Sequence, residues 1–384
     1  MRRATVVGAG IAGLAVALEL RRLGADVTVV DDRYPGAGNS TRNVGRVRSM
    51  QLTPDLTRFA VAARRKWAGV HALIGQRNPL VFPTRYAWLL YADDEVERLA
   101  AHEPMWAELG AHARLVDSAT AVAAVPVVRG GEPVLAAVLG DAAIVHHDAA
   151  VYGYLLACRE AGAEIRTGVR AEGIERTGGA VSALETSDGR IPADAVVNAA
   201  GGRAGEFARA CGVQPPNRPV RRQVLVTEAS RPFMTPAVTF YRPAEGWFNQ
   251  TLRGELVAGV VGDDEPEGMT EAVGLRFLAR TARVVLAKAP RLGVLHVIRQ
   301  WSGVYDMTPD RRPLVGEHER IPGLFALSGW SGRGFAFAPL AAELLARWIV
   351  RGERSGLLAT FAPDRFDGVP ETVRAGDDYY SAYI

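Results

Sequence analysis

The chain has 384 residues, of which 48% are hydrophobic and 23% charged, and a formal net charge of +3 at pH 7. This is the composition of a globular protein large enough for two domains, and the small charge argues against a nucleic-acid-binding role. No apolar stretch reaches the roughly 20 residues that a membrane-spanning helix needs. No signal peptide is indicated, because three glycines and Glu19 interrupt the apolar N-terminal segment. Two widely separated cysteines, Cys158 and Cys211, form no Cys-x-x-Cys metal or dithiol motif and suit a cytoplasmic location.

The first 32 residues predict a strand, a tight glycine turn, a helix and a second strand. The first strand ends at Val7, the turn has the pattern Gly-x-Gly-x-x-Gly, and the second strand ends in two aspartates. Such a unit binds a dinucleotide, because the turn and the helix N-terminus receive a pyrophosphate and the acid accepts hydrogen bonds from a ribose. The predicted cofactor residues here are Gly8, Gly10, Ile11, Ala12, Gly13, Asp31 and Asp32. A strand–helix–strand unit with an accidental glycine pattern is the alternative, and the motif alone does not distinguish NAD from FAD.

The next segment, PGAGNSTRNVGRVRS at 35–49, is rich in glycine and carries three arginines close together. A loop directly after the ribose-binding acid is well placed to lie beneath the ring system of a bound cofactor, although a plain surface loop has the same composition. The predicted contacts are Ser40, Thr41, Arg42 and Asn43.

Several spaced blocks, in this order along the chain, resemble the FAD-dependent amine and amino-acid oxidoreductases of the D-amino-acid oxidase superfamily. They are the N-terminal unit with its loop, ADAVVNAAGGRAGEFARACGV (193–213), WSGVYDMTPDRRPLVG (301–316) and GLFALSGWSGRGFAFAPLAAELLARWIVRG (323–352). Two stretches, STRNVGRVRS and VHHDAAVYGYLLACREAGAEI (145–165), are most similar to the β subunit of heterotetrameric sarcosine oxidase and to multi-subunit dye-linked L-proline dehydrogenases.

The resemblance implies an α/β fold with a Rossmann-like FAD-binding domain of the glutathione-reductase type, built from 1–75, 140–218 and 300–384. Residues 76–139 and 219–299 are expected to form an α+β substrate domain. Its predicted elements are a helix at 93–110 and strands at 224–227, 238–241 and 256–261, whose spacing suggests an antiparallel sheet over the flavin.

The later blocks predict further cofactor contacts. Small residues let the backbone pass close to a cofactor, and the glycines after Ser328 precede a helix expected at about 340–350, whose N-terminus would stabilise an anionic reduced flavin. The predicted contacts are Ala200, Gly201, Gly303, Gly329, Gly332, Arg333, Gly334, Phe335 and Ala336. By resemblance, Val169 would contact the adenine through its backbone. Thr308-Pro309-Asp310 is a family signature, and a purely structural turn is its alternative interpretation.

His147 is the candidate for a second flavin. In the sarcosine oxidase β subunit a His-Asp-Ala segment carries covalent FMN, and His147-Asp148-Ala149 matches it. The related proline dehydrogenases lack this pattern, and two exposed histidines near a helix start, with Asp148 as the N-cap, are the alternative.

Flavin chemistry requires no Ser-His-Asp set, paired carboxylates or metal, and none with suitable spacing is found. A carboxylate substrate requires a cationic anchor, and by resemblance Arg48 takes this role. Ala336 replaces the second, lysine anchor of related sarcosine oxidases, so Arg333 is the predicted substitute. Tyr241 completes the predicted catalytic set.

No lysine occurs near Val257, where single-chain relatives carry the lysine that activates oxygen. The sequence therefore predicts a dehydrogenase that oxidises L-proline, sarcosine or a similar amino acid and passes electrons to a partner α subunit or another acceptor. The alternatives are a stand-alone glycine oxidase-like enzyme and a non-catalytic flavoprotein relay subunit.

Overall fold

The computed structural model describes residues 2–76, 80–262 and 265–368. Its strands are β1 (Arg3–Val7), β2 (Asp26–Asp31), β3 (Arg46–Arg48), β4 (Val81–Leu90), β5 (Arg114–Asp117), β6 (Ala136–Val145), β7 (Glu164–Thr167), β8 (Ala171–Thr177), β9 (Ala180–Thr186), β10 (Gly189–Pro192), β11 (Ala195–Asn198), β12 (Arg218–Ala229), β13 (Ala237–Phe240), β14 (Gly246–Gln250), β15 (Glu255–Val260), β16 (Val297–Met307), β17 (Leu314–Glu317) and β18 (Leu324–Ser328). Its α-helices are α1 (Ile11–Arg22), α2 (Pro54–Leu73), α3 (Asp93–Ala100), α4 (Glu103–Glu108), α5 (Ser118–Ala124), α6 (His147–Glu160), α7 (Ala204–Ala210), α8 (Leu275–Lys288) and α9 (Gly334–Arg351).

The N-terminal unit lies in a six-stranded sheet with the order β17-β18-β11-β1-β2-β7. Strands β18, β11, β1, β2 and β7 are parallel to one another, whereas the edge strand β17 pairs antiparallel with β18. Helices α1, α6 and α9 cover one face and share an apolar core that includes Leu14, Tyr154 and Leu345. This mostly parallel sheet with its helical layer confirms the predicted Rossmann-like α/β architecture, in which ligands bind at the carboxyl ends of the strands.

A larger sheet with the order β16-β12-β15-β14-β13-β4-β6-β3 covers the cofactor side, and β5 pairs with β6. Its pairings are antiparallel except between β4 and β13. The three strands predicted between 219 and 299 are present as β12, β13 and β15. Strands β3 and β16 also join this sheet, although the sequence assigned both to the FAD-binding segments; the domain division stays a prediction.

Two predicted helix boundaries were wrong. The helix expected at 93–110 is divided into α3 and α4, and Pro104 stands at the start of α4. Helix α9 begins at Gly334 rather than near 340 and contains Pro339. Full burial of Phe337 and Ala338 outweighs the one hydrogen bond that this proline cannot donate. Among the described helices, none combines the length and the apolar character needed to cross a membrane.

Candidate active site

The turn between β1 and α1 has room only for glycine at two positions. Gly8 has a φ of +103°, and a Cβ added to it would lie 2.5 Å from the carbonyl oxygen of Ala199. A Cβ on Gly13 would lie 1.8 Å from the carbonyl oxygen of Gly8, so α1 lies directly against the end of β1. The N-terminus of α1, which has no acidic residue in its first turn, therefore faces the sheet edge with its partial positive charge intact.

Asp31 stands at the carboxyl end of β2, beside this turn. Its Oδ2 accepts a hydrogen bond from the Ala9 N–H at 2.8 Å, and its Oδ1 accepts one from the Arg33 N–H at 2.8 Å. Burial raises the pKa of Asp31, and the two backbone hydrogen bonds oppose that effect. The carboxylate is thus held at the edge of the cleft described next, as expected of an acid that receives ribose hydroxyls.

A cleft of about 1100 Å³ runs along the ends of the parallel strands between α1 and α9. The predicted cofactor residues that line it are Gly8, Gly10, Ile11, Ala12, Asp31, Asp32, Ser40, Asn43, Ala200, Gly201, Gly332, Gly334 and Phe335. Val169 lines a side pocket of about 920 Å³ that shares Gly8, Asp31 and Asp32 with the cleft. The two predicted cofactor residues Gly13 and Gly329 shape the adjoining turns instead.

The loop at 35–49 forms one wall of this cleft and is fixed to β16. Asn39 Oδ1 accepts a hydrogen bond from the Val304 N–H at 2.7 Å, and Asn39 Nδ2 donates to the Val304 carbonyl. The Trp301 indole N–H donates to the Arg42 carbonyl at 2.9 Å. These bonds hold the loop between this cleft and the larger sheet; its place beneath the ring of the cofactor stays a prediction.

Asp306 on β16 is a buried acid of the cleft that sequence reasoning missed. One carboxylate oxygen accepts a hydrogen bond from the Asn217 amide, and the other accepts one from the Gly329 N–H at 2.5 Å. Burial raises the pKa of Asp306 to about 7, against the effect of these two hydrogen bonds. The acid anchors the loop before α9. In the sequence, only its position inside the family block at 301–316 pointed to a role for Asp306 at the cofactor.

The family signature at 308–310 makes structural contacts. Thr308 Oγ1 donates to the Arg312 carbonyl at 2.8 Å, and Asp310 forms an ion pair with Arg365, with Nε and Oδ2 2.8 Å apart. These contacts favour the turn interpretation that the sequence left open.

A further pocket of about 880 Å³ adjoins the cleft beneath the larger sheet. Tyr305, Gly332 and Phe335 line both spaces. The guanidinium of Arg46 lies 4.9 Å from the ring centroid of Trp247, and that of Arg222 lies 5.8 Å from the ring centroid of Tyr305. Of the predicted cofactor residues, Arg42, Gly303 and Ala336 line this pocket rather than the main cleft.

None of the three predicted catalytic residues is among the residues that line this pocket. Arg48 stacks on Tyr86 at 5.0 Å and donates to its hydroxyl at 2.8 Å. Arg333 donates to the side chain of Gln51 at 3.2 Å and to the Arg311 carbonyl at 2.8 Å. Tyr241 is buried with its ring 4.7 Å from that of Trp88. Arg46, two residues before Arg48 on the same face of β3, does line this pocket.

Thr41 and His147 line a separate cleft of about 1220 Å³ on the other side of the loop at 35–49. His147 Nε2 lies 3.2 Å from the Thr41 carbonyl, and its ring stands edge-on to Phe335 with 6.3 Å between centroids. Burial lowers the pKa of His147. The N-cap of α6 is His146, not Asp148 as expected, because His146 Nδ1 accepts the Ala149 N–H.

A comparison with protein families decides the identity of this arrangement. The family described as FAD dependent oxidoreductase (DAO) matches residues 3–348. The chain belongs to this family. As a DAO-family oxidoreductase it is FAD-dependent, and the glycine turn, the held carboxylate of Asp31 and the α1 N-terminus fit the diphosphate and ribose of that cofactor.

Individual relatives agree over nearly the whole chain. The sarcosine oxidase subunit beta of Rhodobacter capsulatus is 28% identical over 382 residues, which cover 97% of this chain and 91% of the relative. The glycine oxidase of Pseudomonas putida is 27% identical, with 94% and 98% covered. The crystal structure of L-proline dehydrogenase from P. horikoshii superposes with a TM-score of 0.87 at 25% identity, covering 95% of this chain and 97% of that one.

Proposed function

We propose that the protein oxidises an amino acid with a secondary amine, such as L-proline or sarcosine, as the catalytic β-type subunit of a hetero-oligomeric dehydrogenase. The observation that carries this proposal is the pocket of about 880 Å³ that Arg46 lines, here called the Arg46 pocket. It meets the cleft of about 1100 Å³ that we assign to FAD, here called the FAD cleft, at Tyr305, Gly332 and Phe335. The names of the relatives, sarcosine oxidase subunit beta and L-proline dehydrogenase, support the substrate class and the role as a subunit.

Arg46 is the group that we expect to hold the substrate carboxylate. It faces the pocket from β3, stacks on Trp247, and makes its hydrogen bond with the Val238 carbonyl only at 3.4 Å. Burial lowers the pKa of Arg46, which reflects the cost of keeping a guanidinium away from water. A carboxylate in the pocket offsets that cost with charge-assisted hydrogen bonds.

The pocket walls set the position of the amine. Val224, Val260, Val261 and the Trp247 ring line it and exclude water around the carbon beside the nitrogen. When bound, FAD supplies the acceptor for the hydride equivalent that leaves this carbon. The chain itself then has to bind the carboxylate, orient the carbon toward the cleft and keep the reacting atoms dry.

The electron acceptor is proposed to be a second centre or a partner rather than oxygen. The two lysines of the sequence are engaged elsewhere: Lys66 Nζ lies 2.8 Å from Glu19 and 2.7 Å from Glu343, and Lys288 Nζ lies 2.9 Å from Glu132. Val257 lines the His147 cleft. A lysine ammonium that could activate oxygen is therefore not available at the FAD cleft.

The His147 cleft supports the proposal of a second flavin, FMN, next to a partner subunit. The loop at 35–49 separates this cleft from the FAD cleft, and Arg253 and Arg299 line it as cations for a phosphate group. Extraction of the flavins from the purified complex should then yield both FAD and FMN. A flavin adduct by mass spectrometry is expected if His147 carries FMN covalently, and its absence removes the covalent version.

A cytoplasmic location is part of the proposal. Cys158 and Cys211 are both free and buried, and burial raises the pKa of each thiol to about 12. Both therefore remain unreactive thiols.

Anaerobic titration of the yellow protein with a panel of amino acids tests the function. Bleaching by L-proline or sarcosine, with slow reoxidation by air and fast reduction of a dye, is the expected result. Oxygen consumption by the isolated chain as fast as dye reduction would favour a stand-alone oxidase like the glycine oxidase relative. Bleaching by none of the amines would favour a relay subunit.

A further inference from the structure

Three charged side chains surround Tyr305 in the Arg46 pocket. Arg46, Arg222 and Glu245 all line this pocket. Burial raises the pKa of the Tyr305 hydroxyl; the charges of Arg222 and Arg46 lower it, and the charge of Glu245 raises it further. All three charges are therefore within electrostatic reach of one hydroxyl at the junction of the pocket and the FAD cleft.

Within the described part of the chain, none of these three charges forms an ion pair. Arg46 contacts the Val238 carbonyl and Trp247, and Arg222 contacts the Arg221 carbonyl at 3.0 Å and Tyr305. Neighbouring arginines are different, because Arg42 pairs with Glu271 and Arg221 pairs with Glu265. Partly buried guanidinium groups are normally paired with a carboxylate. Two guanidinium groups that line one pocket and form no ion pair therefore point to an anionic ligand.

The two guanidinium groups and the one carboxylate of the Arg46 pocket indicate which charges its ligand carries. One carboxylate on the substrate needs one guanidinium, as proposed above for Arg46. The pocket offers a second guanidinium, that of Arg222 on strand β12, and one acid, Glu245, directly before β14. Two cations and one anion complement a ligand with two carboxylates and one ammonium group.

We propose that the substrate is a secondary amine flanked by two carboxylates, an N-carboxyalkyl amino acid, with one carboxylate on Arg46, the other on Arg222 and the ammonium facing Glu245. This inference rests on the proposed function and narrows its substrate class from amino acids with a secondary amine in general to those that carry a second carboxylate, of which iminodiacetate is the smallest. Tyr305 lines both the pocket and the FAD cleft, so a ligand held between Arg46 and Arg222 lies next to that cleft.

Binding of unreactive analogues to the FAD-loaded protein separates recognition from turnover. Thiodiacetate carries two carboxylates and (methylthio)acetate carries one, and neither has an amine to oxidise. Isothermal titration should show thiodiacetate binding tighter by about tenfold or more, because the second carboxylate gains a charge-assisted bond to a guanidinium. Equal affinities, or preference for the monocarboxylate, would overturn the proposal.

The variant R222Q, with a matched control, tests whether Arg222 binds the second carboxylate. R222Q should remove the preference for thiodiacetate while (methylthio)acetate affinity changes less than about twofold, a change within ordinary surface effects. That retained affinity, with normal FAD content, also shows that R222Q is folded. R190Q, an exposed arginine on β10 paired with Glu175, is the matched control and should behave as wild type. An equal loss of both analogues in R222Q would contradict the assignment.

Replacement of Glu245 should change the affinity for thiodiacetate in the opposite direction to replacement of Arg222. E245Q removes a negative charge from the pocket, so thiodiacetate should bind more tightly, while KM for iminodiacetate, which carries the ammonium, should rise. Equal changes for both compounds would refute the role of Glu245. Bleaching by sarcosine or proline but not by iminodiacetate overturns this inference alone, whereas bleaching by no amine overturns the proposed function.

Discussion

Replacement of Asp306 by asparagine should change how the stability of the folded protein depends on pH. Asp306 is fully buried in the FAD cleft, and burial raises its pKa to about 7 from the ordinary 3.8. The folded chain therefore holds a proton on Asp306 that the unfolded chain releases at lower pH. The stabilisation is fully present below pH 3.8 and is lost as the pH rises through 7.

The magnitude follows from the two pKa values. A tenfold change in an acid dissociation constant corresponds to about 1.4 kcal/mol. Between pH 5 and pH 8 the wild-type protein should therefore lose about 2.5 kcal/mol of unfolding free energy through this one group. Asp306→Asn keeps the shape of the side chain and removes the titration, so the variant should not show this loss.

Urea unfolding at saturating FAD, at several pH values from 5 to 8, measures the difference between the two proteins. Asp55→Asn is the matched control. Burial alone would raise the pKa of Asp55, but the hydrogen bonds and charge of Arg312 dominate and lower it to about 2. Asp55 therefore stays ionised over the whole range, and its variant should be less stable by a constant amount. A difference between wild type and Asp306→Asn that stays flat across this range would refute the reasoning.

Three further predictions concern the clefts. Gly13→Ala should abolish FAD binding, because the new Cβ would lie 1.8 Å from the carbonyl oxygen of Gly8. The control Gly69→Ala in α2, where the added Cβ meets open space, should retain FAD. Equal FAD content in the two purified variants would contradict this prediction. Arg46→Gln should raise KM for the amino-acid substrate by about tenfold or more, because the charge-assisted hydrogen bonds to the carboxylate are lost. The FAD content should not change. An unchanged KM in steady-state dye reduction would exclude Arg46 as the carboxylate anchor. His147→Ala should keep FAD but lose the second flavin, so FMN extracted from the variant in normal amount would contradict the assignment.

The N-terminal unit could be predicted from the sequence almost completely. The turn at 8–13 and Asp31 are close together along the chain, and their geometry depends on local backbone constraints that only glycine satisfies. The match of spaced blocks likewise identified the family, because each block keeps its own local structure. Three strands of the larger sheet, predicted at 224–227, 238–241 and 256–261, were also found, since alternation and length define strands locally, whereas β14 was missed.

The details that depend on packing could not be predicted in this way. The start of α9 was misplaced because Pro339 is a local break signal that burial of the helix overrides. Arg46 and Arg48 point to the same face of β3, so strand alternation cannot distinguish them. The two side chains differ in the strands that they contact, because Arg48 stacks on Tyr86 of β4 and Arg46 stacks on Trp247 of β14.

The sequence by itself therefore determined the cofactor, the family and the strand–turn–helix unit that holds the diphosphate, because those features reside in contiguous residues. Only the tertiary structure showed that Arg46 rather than Arg48 lines the pocket beside the cofactor cleft, and that Asp306 is buried beneath the loop before α9. Both outcomes depend on contacts between segments far apart in the chain, such as Asn217 with Asp306 and β3 with the larger sheet, and no local pattern encodes them.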